Sequence, residues 1–350
     1  MDISRIRLID KSDMLTLLTS FPDQYAKGRE IGETSDFSID LDIPIDSIVF
    51  AGMGGSAISG DLVIACTEDN LELPMVVSRD YDLPAFVSDT TLVYILSYSG
   101  NTEESLSAYE KARERNASMV CVTSGGKIDA LARRDNVPVF KIPGGQPPRT
   151  ALAYLMLPIL ISLSRLGLIE EMTVDLDEAY ELLLRLSRAY HPEKRNNLAL
   201  EVASKLAHKI PIIYSATQTM KTVSMRWKCQ FNENAKIHSF FNVFPEMNHN
   251  EIVGYDQLPD IFQNFQVIYL QDIDDNCRIE NRMDVTEEIL KRQYMSVLRF
   301  HTEGRSKLAR LFSLIYLGDM VSYYLAIQNG VDPTPIENIN ILKQELEKII

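Results

Sequence analysis

From residue 46 onward, short unbroken apolar runs alternate with stretches whose apolar residues recur at helical spacing. Continuous apolar runs mark strands buried on both faces, as in a parallel sheet covered by helices. The pattern predicts strands at 47–51, 74–77, 91–96, 118–123 and 137–141, and helices at 55–66, 101–115, 127–134 and 148–167. A second pass begins near Ile210. There Lys209–Ser215 reads like the first strand, a helix follows from Thr219 to Glu233, and Phe265–Leu270 reads like the strand at 91–96. The expected fold class is α/β, with two doubly wound domains, each a mostly parallel sheet flanked by helices. The expected divisions are 1–167 for an N-terminal arm plus the first domain, 168–208 for connecting helices, and 209–350 for the second domain plus a C-terminal helix.

Two strand-to-helix turns stand out: Gly52-Met53-Gly54-Gly55-Ser56-Ala57 and Ser97-Tyr98-Ser99-Gly100-Asn101-Thr102-Glu103. Glycines let the backbone approach a ligand, amide groups point outward, and the helix dipole favours negative charge. One such turn is more often a packing device. Two of them, with hydroxyls at Ser97, Ser99 and Thr102, favour a cradle for a phosphate on a small ligand. The first turn departs from G-x-G-x-x-G, because position 57 is Ala, and Ser78 and Arg79 stand where a ribose-binding acid would follow the second strand. No Gly-Lys-Ser/Thr occurs, which excludes a P-loop. The second pass has Ala216-Thr217-Gln218 and Gln271-Asp272-Ile273-Asp274-Asp275 at its turns, and those acids would repel phosphate. Only the first domain is expected to keep the cradle.

A formal charge of −14 and a pI near 4.9 argue against nucleic acid, whose phosphates need clustered Lys and Arg. Cys66, Cys121, Cys229 and Cys277 are widely spaced without a C-x-x-C pair, the pattern of a reduced, cytoplasmic chain without a zinc site. The apolar stretch Ala151–Leu163 is too short to span a bilayer and contains Pro158, so a buried helix and no membrane segment are expected. The N-terminus has acidic residues and no apolar core of a signal peptide.

Outside the cradle three polar segments could carry chemistry. Asn232-Glu233-Asn234-Ala235-Lys236 ends the helix that starts at Thr219, and its carboxylate flanked by amides reads either as polar capping or as a general base. Pro245 to Gly254 holds His249 among amides and carboxylates, but no second His stands at metal-binding spacing. Gly144-Gly145-Gln146-Pro147-Pro148-Arg149 is either a rigid connector with a surface Arg or a turn that aims Arg149 at an anion. His191 and His208 read as surface residues, and His238 and His301 receive no role. No nucleophile elbow surrounds Ser56.

Together these segments, with Asp332-Pro333 running to Lys343, resemble the sugar isomerase (SIS) fold. More narrowly, they resemble the bifunctional phosphoglucose/phosphomannose isomerases of archaea and some bacteria. The resemblance runs nearly end to end, and its Pro-Pro-Arg, Asn-Glu-Asn-Ala-Lys and Asn-His-Asn-Glu segments are the specific part. It implies interconversion of glucose 6-phosphate and mannose 6-phosphate with fructose 6-phosphate, without metal or nucleotide cofactor. By position it implies Glu233 as the proton-transfer base; were the base elsewhere, Glu246 or Glu251 beside His249 would be the next candidates. Arg149 would stabilise the enediolate, His249 would be the ring-opening acid/base, and Lys343 would lie near the ring oxygen. Gly54, Gly55 and Ser56 would face the substrate, while Ser97, Ser99 and Thr102 would hold its phosphate. It further implies a homodimer in which His249 comes from the second subunit. A non-catalytic SIS-type sugar-phosphate regulator would need the cradle but not Glu233, Arg149 and His249 together. The isomerase half of an amidotransferase is disfavoured, since no N-terminal Cys nucleophile or glutaminase domain is seen before the cradle.

Overall fold

The computed structural model describes residues 3–39, 44–216, 219–257, 259–346 and 348. The chain divides into two compact units. One comprises Ser20–Leu184 with Gly304–Ala309; the other comprises Met1–Thr19, Arg185–Glu303 and Arg310–Ile350.

The first unit is built on β1 (Ser47–Gly52), β2 (Met75–Ser78), β3 (Thr91–Leu96), β4 (Ser118–Thr123) and β5 (Val139–Lys141). Their order is β2-β1-β3-β4-β5, with every pairing parallel. Every residue of β1 and β3 is buried, which is why each reads as an unbroken apolar run. Helices Gly54–Thr67, Glu103–Glu114, Gly126–Arg134 and Leu152–Arg165 follow the predicted ones, except that a 3₁₀ turn, Pro148–Thr150, precedes the last. Helix Leu152–Arg165 packs along helix Phe21–Thr34, whose Gly28 lies under the Ala153 carbonyl.

The second unit carries β6 (Ile210–Ala216), β7 (Phe240–Phe244), β8 (Phe265–Gln271) and β9 (Val297–His301), ordered β7-β6-β8-β9 and again all parallel. The apolar runs predicted β6 and β8 but not β7 or β9. Both missed strands are edges, only partly buried and interrupted by Asn242, Arg299 and His301, so neither presents a continuous apolar run. Helices Cys277–Arg292 and Lys307–Asn329 were also not anticipated. The latter is long and apolar enough to cross a membrane, and 94% of its most apolar window is buried inside the protein. It is a core helix, and Asp319 within it interrupts the run that would have revealed it.

The unit boundaries differ from the expected ones at both ends. Residues Met1–Thr19 group with the second sheet because Tyr323 donates to buried Asp10 at 3.0 Å and Tyr316 to the Leu18 carbonyl at 3.0 Å. Gly304–Ala309 groups with the first sheet, where Glu178 accepts from the amides of Arg305 and Ser306 at 2.7 and 2.8 Å. The segment 168–208 holds helices Thr173–Ala189 and Leu198–Leu206, and the division falls after Leu184.

One buried ion pair ties the second unit's main helices together. Arg226, on helix Thr219–Glu233, donates Nε to Asp319 at 3.0 Å and Nη2 at 2.6 Å, with both side chains 3% exposed. Gln230 Nε2 adds a third bond to the same carboxylate at 2.7 Å. Trp227 donates to the Leu314 carbonyl at 2.8 Å, and its indole fills the space a Cβ on Gly318 would occupy. Removing one partner of such a pair strands the other charge in low dielectric. Asp319→Ala is expected to lose about 3–5 kcal/mol of unfolding free energy in urea titration. The double change Arg226→Met, Asp319→Leu is expected to lose clearly less, because no charge is left unpaired.

Candidate active site

In the order β2-β1-β3-β4-β5 the chain leaves β1 toward one edge and resumes at β3 toward the other. β1 and β3 therefore form the topological switch point, where open α/β sheets bind ligands beyond their strand ends. The turns after these strands are the Gly52–Ala57 and Ser97–Glu103 segments, now neighbours in space through the pair Gly52↔Leu96. Gly54 opens its helix with φ +53°, and neither N-cap residue, Met53 before helix Gly54–Thr67 nor Thr102 before helix Glu103–Glu114, caps its helix with its side chain. Their leading amides point out of the sheet edge, the condition for holding an anion.

The hydroxyls are arranged by the backbone. Ser97 is fully buried, accepts from the Gly100 amide at 3.1 Å and donates to Thr102 Oγ1 at 3.3 Å. Ser99 is exposed and accepts from the Asn101 amide at 3.2 Å. Gly100 must be glycine: its φ is +69°, and a Cβ would stand 1.7 Å from the Gly125 carbonyl. Ser56 accepts from the Tyr98 amide at 3.1 Å, locking the two turns together. Tyr98 also takes two bonds from Ser124 on its carbonyl, at 3.0 Å from the amide and 2.7 Å from Oγ. Its phenol, pushed up by burial and so kept neutral, accepts from the Gln146 amide at 3.2 Å.

Arg149 belongs to the same constellation. It lies in the 3₁₀ turn Pro148–Thr150, only 3% exposed, and is not the surface group of a connector. Gln24 clamps that turn from behind, donating to the Thr150 carbonyl at 2.6 Å and accepting from the Ala153 amide at 3.2 Å. In front, a Cβ on Gly55 would sit 3.2 Å from Pro148 C, Pro148 O and Arg149 N. The structure thus gathers Gly54, Gly55, Ser56, Ser97, Ser99, Thr102 and Arg149 in one unit. Tyr98 and Gln146, which help to hold them, lie inside the quoted segments without having been given a role, and Gln24 lies in none.

The other named residues lie in the second unit. Glu233 is the last residue of helix Thr219–Glu233, partly buried, and lines a cavity of about 550 Å³ with Asn232, Lys236, Asp332 and residues of the C-terminal helix Glu337–Leu346. Its flanking amides are structural. Asn232 accepts from the Ser239 amide at 3.2 Å, and fully buried Asn234 donates to Ser322 Oγ at 3.0 Å. Lys236, at φ +58°, turns the chain back and donates to the Glu233 and Pro333 carbonyls. His249 is exposed at the end of the 3₁₀ turn Glu246–His249, and Lys343 is exposed on helix Glu337–Leu346.

Glu251 is occupied: it accepts from Tyr214 and from Asn242, and Tyr214 in turn bonds Tyr255. Burial first, then Tyr255 and Glu251, holds the Tyr214 phenol far above its usual range. Glu246 is exposed and accepts from Asn250 at 2.8 Å. Among the described residues no group of three or more His, Cys, Asp or Glu is placed to hold a metal ion.

The turn after β8 matches the acidic expectation, whereas Thr217 and Gln218 after β6 lie outside the described residues. Asp272 is buried against Arg310 at 2.8 Å, and Arg310 also pairs with Asp274. Asp275 is raised to about 6, chiefly by burial and further by Asp272, Glu280 and Asp274. A carboxyl raised in the fold binds its proton more tightly than in the unfolded chain, so stability falls as pH rises from about 4 to about 6. Asp275→Asn is expected to raise the melting temperature by about 1–3 °C at pH 7.5 and by less at pH 4, read by calorimetry. Gly55→Ala, in the first unit, is expected to push the Arg149 turn outward. It should weaken affinity for a phosphorylated sugar by roughly tenfold in titration while costing less than about 1.5 kcal/mol of stability.

The profile of the SIS domain matches residues 43–163, and that of the bacterial phospho-glucose isomerase C-terminal SIS domain matches residues 195–346. The chain is 42% identical over 338 residues to a bifunctional phosphoglucose/phosphomannose isomerase of Caldicellulosiruptor bescii, covering 96% of this chain and 99% of that one. It is 36% identical over 317 residues to the protein of the same name from Aquifex aeolicus, covering 90% and 95%. The crystal structure of a hypothetical protein from Thermus thermophilus superposes with a TM-score of 0.72 at 14% identity, over 95% of this chain and 89% of that one, and so shares the fold. With two parallel-sheet units, each matched by its own SIS profile, the chain belongs to the bifunctional phosphoglucose/phosphomannose isomerase family.

Proposed function

We propose that this protein interconverts glucose 6-phosphate and mannose 6-phosphate with fructose 6-phosphate by proton transfer through a cis-enediolate. The structural observation that carries the reading is the pair of uncapped, hydroxyl-lined turns at the β1/β3 switch point, with Arg149 held against the first of them through Gly55. A non-catalytic sugar-phosphate regulator is not favoured, because relatives spanning nearly the whole chain bear the isomerase name.

The chemistry assigns each residue a task. Ser97, Ser99, Thr102 and the uncapped amides hold the phosphate, and Gly54, Gly55 and Ser56 face the sugar. The Glu233 carboxylate removes the C2 proton of the open aldose and the C1 oxygen takes the charge as the enediolate forms; the C2 hydroxyl proton then passes to O1, and Glu233 returns its proton at C1 to give the ketose. Arg149 offsets the charge that develops on the two oxygens, an interaction worth most in a buried setting such as its own. His249 exchanges a proton with the ring oxygen to open the sugar, with Lys343 alongside that oxygen. The protein is proposed to act as a homodimer in which His249 serves the second copy; its exposed position suits that. The four cysteines form no disulfide, and Cys66 and Cys121 are buried, which suits a cytoplasmic protein.

The test is a coupled assay of fructose 6-phosphate formation from each aldose phosphate separately. Turnover of both is expected, and absence of turnover with both would overturn the reading. Glu233→Gln keeps the shape but loses the basic oxygen, so kcat is expected to fall by about 10⁴ or more while substrate binding stays near wild type. In D₂O the wild type should place deuterium at C2 of the aldose or C1 of the ketose, and the Gln variant none. Near-normal turnover by that variant would move the base elsewhere, with exposed Glu246 ahead of the occupied Glu251.

A further inference from the structure

Gln146 occupies an unusual position in the first unit. Its main chain is fixed, since its amide donates to Tyr98 Oη at 3.2 Å. Tyr98 is the residue between Ser97 and Ser99, and it also fastens Ser56 and Ser124. Three residues on, Arg149 is held by Gln24 on one side and by the helix start at Gly55 on the other. The Gln146 side chain is therefore carried on a segment anchored at both ends, between the bond to Tyr98 and the turn that holds buried Arg149. Yet its Nε2 is buried and has no hydrogen-bond partner among the described residues.

Buried amide donors are nearly always paired, and an unpaired one is a standing cost to the ligand-free protein. A donor kept dry and unpaired on a rigid loop is pre-organised to bond an oxygen that arrives with a ligand. We propose that Gln146 is a substrate-binding residue whose Nε2 donates to an oxygen of the bound hexose phosphate. The proposal rests on the isomerase reading for the identity of that ligand. The two candidate acceptors are a sugar hydroxyl and a phosphate ester oxygen, which share the same chemistry toward an amide N–H. A bond made alike to ground state and transition state lowers KM and leaves kcat unchanged.

Gln146→Met tests this, because it keeps the length of the side chain and removes the unpaired donor. The variant is expected to melt at the wild-type temperature or above it when ligand-free, since nothing bonded is lost. Its dissociation constant for fructose 6-phosphate is expected to rise roughly tenfold in calorimetric titration, with KM rising in parallel and kcat changing by less than about threefold. Titration with inorganic phosphate distinguishes the acceptor. An equal loss points to a phosphate oxygen, and an unchanged affinity points to a sugar hydroxyl; both support the proposal. Unchanged affinity for fructose 6-phosphate would overturn it. So would a ligand-free melting temperature lower by more than about 3 °C, which marks a structural role. Failure of the wild type to turn over either aldose phosphate would instead strike the isomerase reading itself.

Discussion

Parallel pairing is the constraint on which the rest of this structure depends. When every strand of a sheet runs the same way, every strand-to-helix turn falls on one edge, and every helix that follows opens its amide end there. In the first unit that edge collects the turns after β1, β3, β4 and β5, which carry Ser56, Ser97, Ser124 and Gln146. These residues lie far apart in sequence and are joined through a single tyrosine. Tyr98 has no catalytic chemistry of its own, but its amide, carbonyl and phenol each fix a different turn. The cost of bringing glycines and hydroxyls so close is met by the fully apolar strands behind them, β1 and β3.

The carboxylate in the second unit is held by the opposite strategy. Glu233 stands at a helix end, where fraying would blur its position. Behind it the helix is tied to helix Lys307–Asn329 by the Arg226–Asp319 pair, by Gln230 and by Asn234 bonded to Ser322. Asn232 and Lys236 then fix the exit of the chain. Asn232, Asn234 and Lys236 thus have mechanical tasks, and Glu233 lines the cavity beside them. Such a network rewards geometry more than stability, since buried ion pairs gain little net free energy over apolar packing.

The sequence disclosed what rests on local pattern and concealed what rests on contact. Central strands and the turns between them were legible because full burial leaves unbroken apolar runs and because glycine and serine mark anion-binding turns. Edge strands β7 and β9 were not, since Asn242, Arg299 and His301 interrupt their runs, whereas edge strand β2 keeps Met75-Val76-Val77 and was legible. Helix Lys307–Asn329 escaped because its buried Asp319 and Arg310 look, in sequence, like surface charges. The boundary near Thr19 escaped for a similar reason: the bond from Tyr323 to Asp10 joins residues no local pattern connects. Of the candidate site, the segments were legible, whereas the tasks of Tyr98 and Gln146 within them, and of Gln24 outside them, depend on folded neighbours and leave no spacing to read.

The four strands of the second sheet repeat the order of the first four of the first sheet, and the two differ at the edge beyond their strand ends. After β3 the chain offers buried and exposed hydroxyls and an uncapped helix; after β8 it offers Asp272, Asp274 and Asp275, with Asn276 capping the helix that follows. A phosphate approaching the second edge would meet carboxylates, and the cation there, Arg310, is already paired with Asp272 and Asp274. Asp275, half-buried and raised first by that burial and then by its acidic neighbours, adds to this: a further anion would press against a carboxyl that already resists ionisation. Duplicating a fold doubles every strand end, and without such a difference it would double the anion site as well. On the proposed reading, the acidic knot after β8 would confine phosphate recognition to the first unit, and the second unit would present a carboxylate instead.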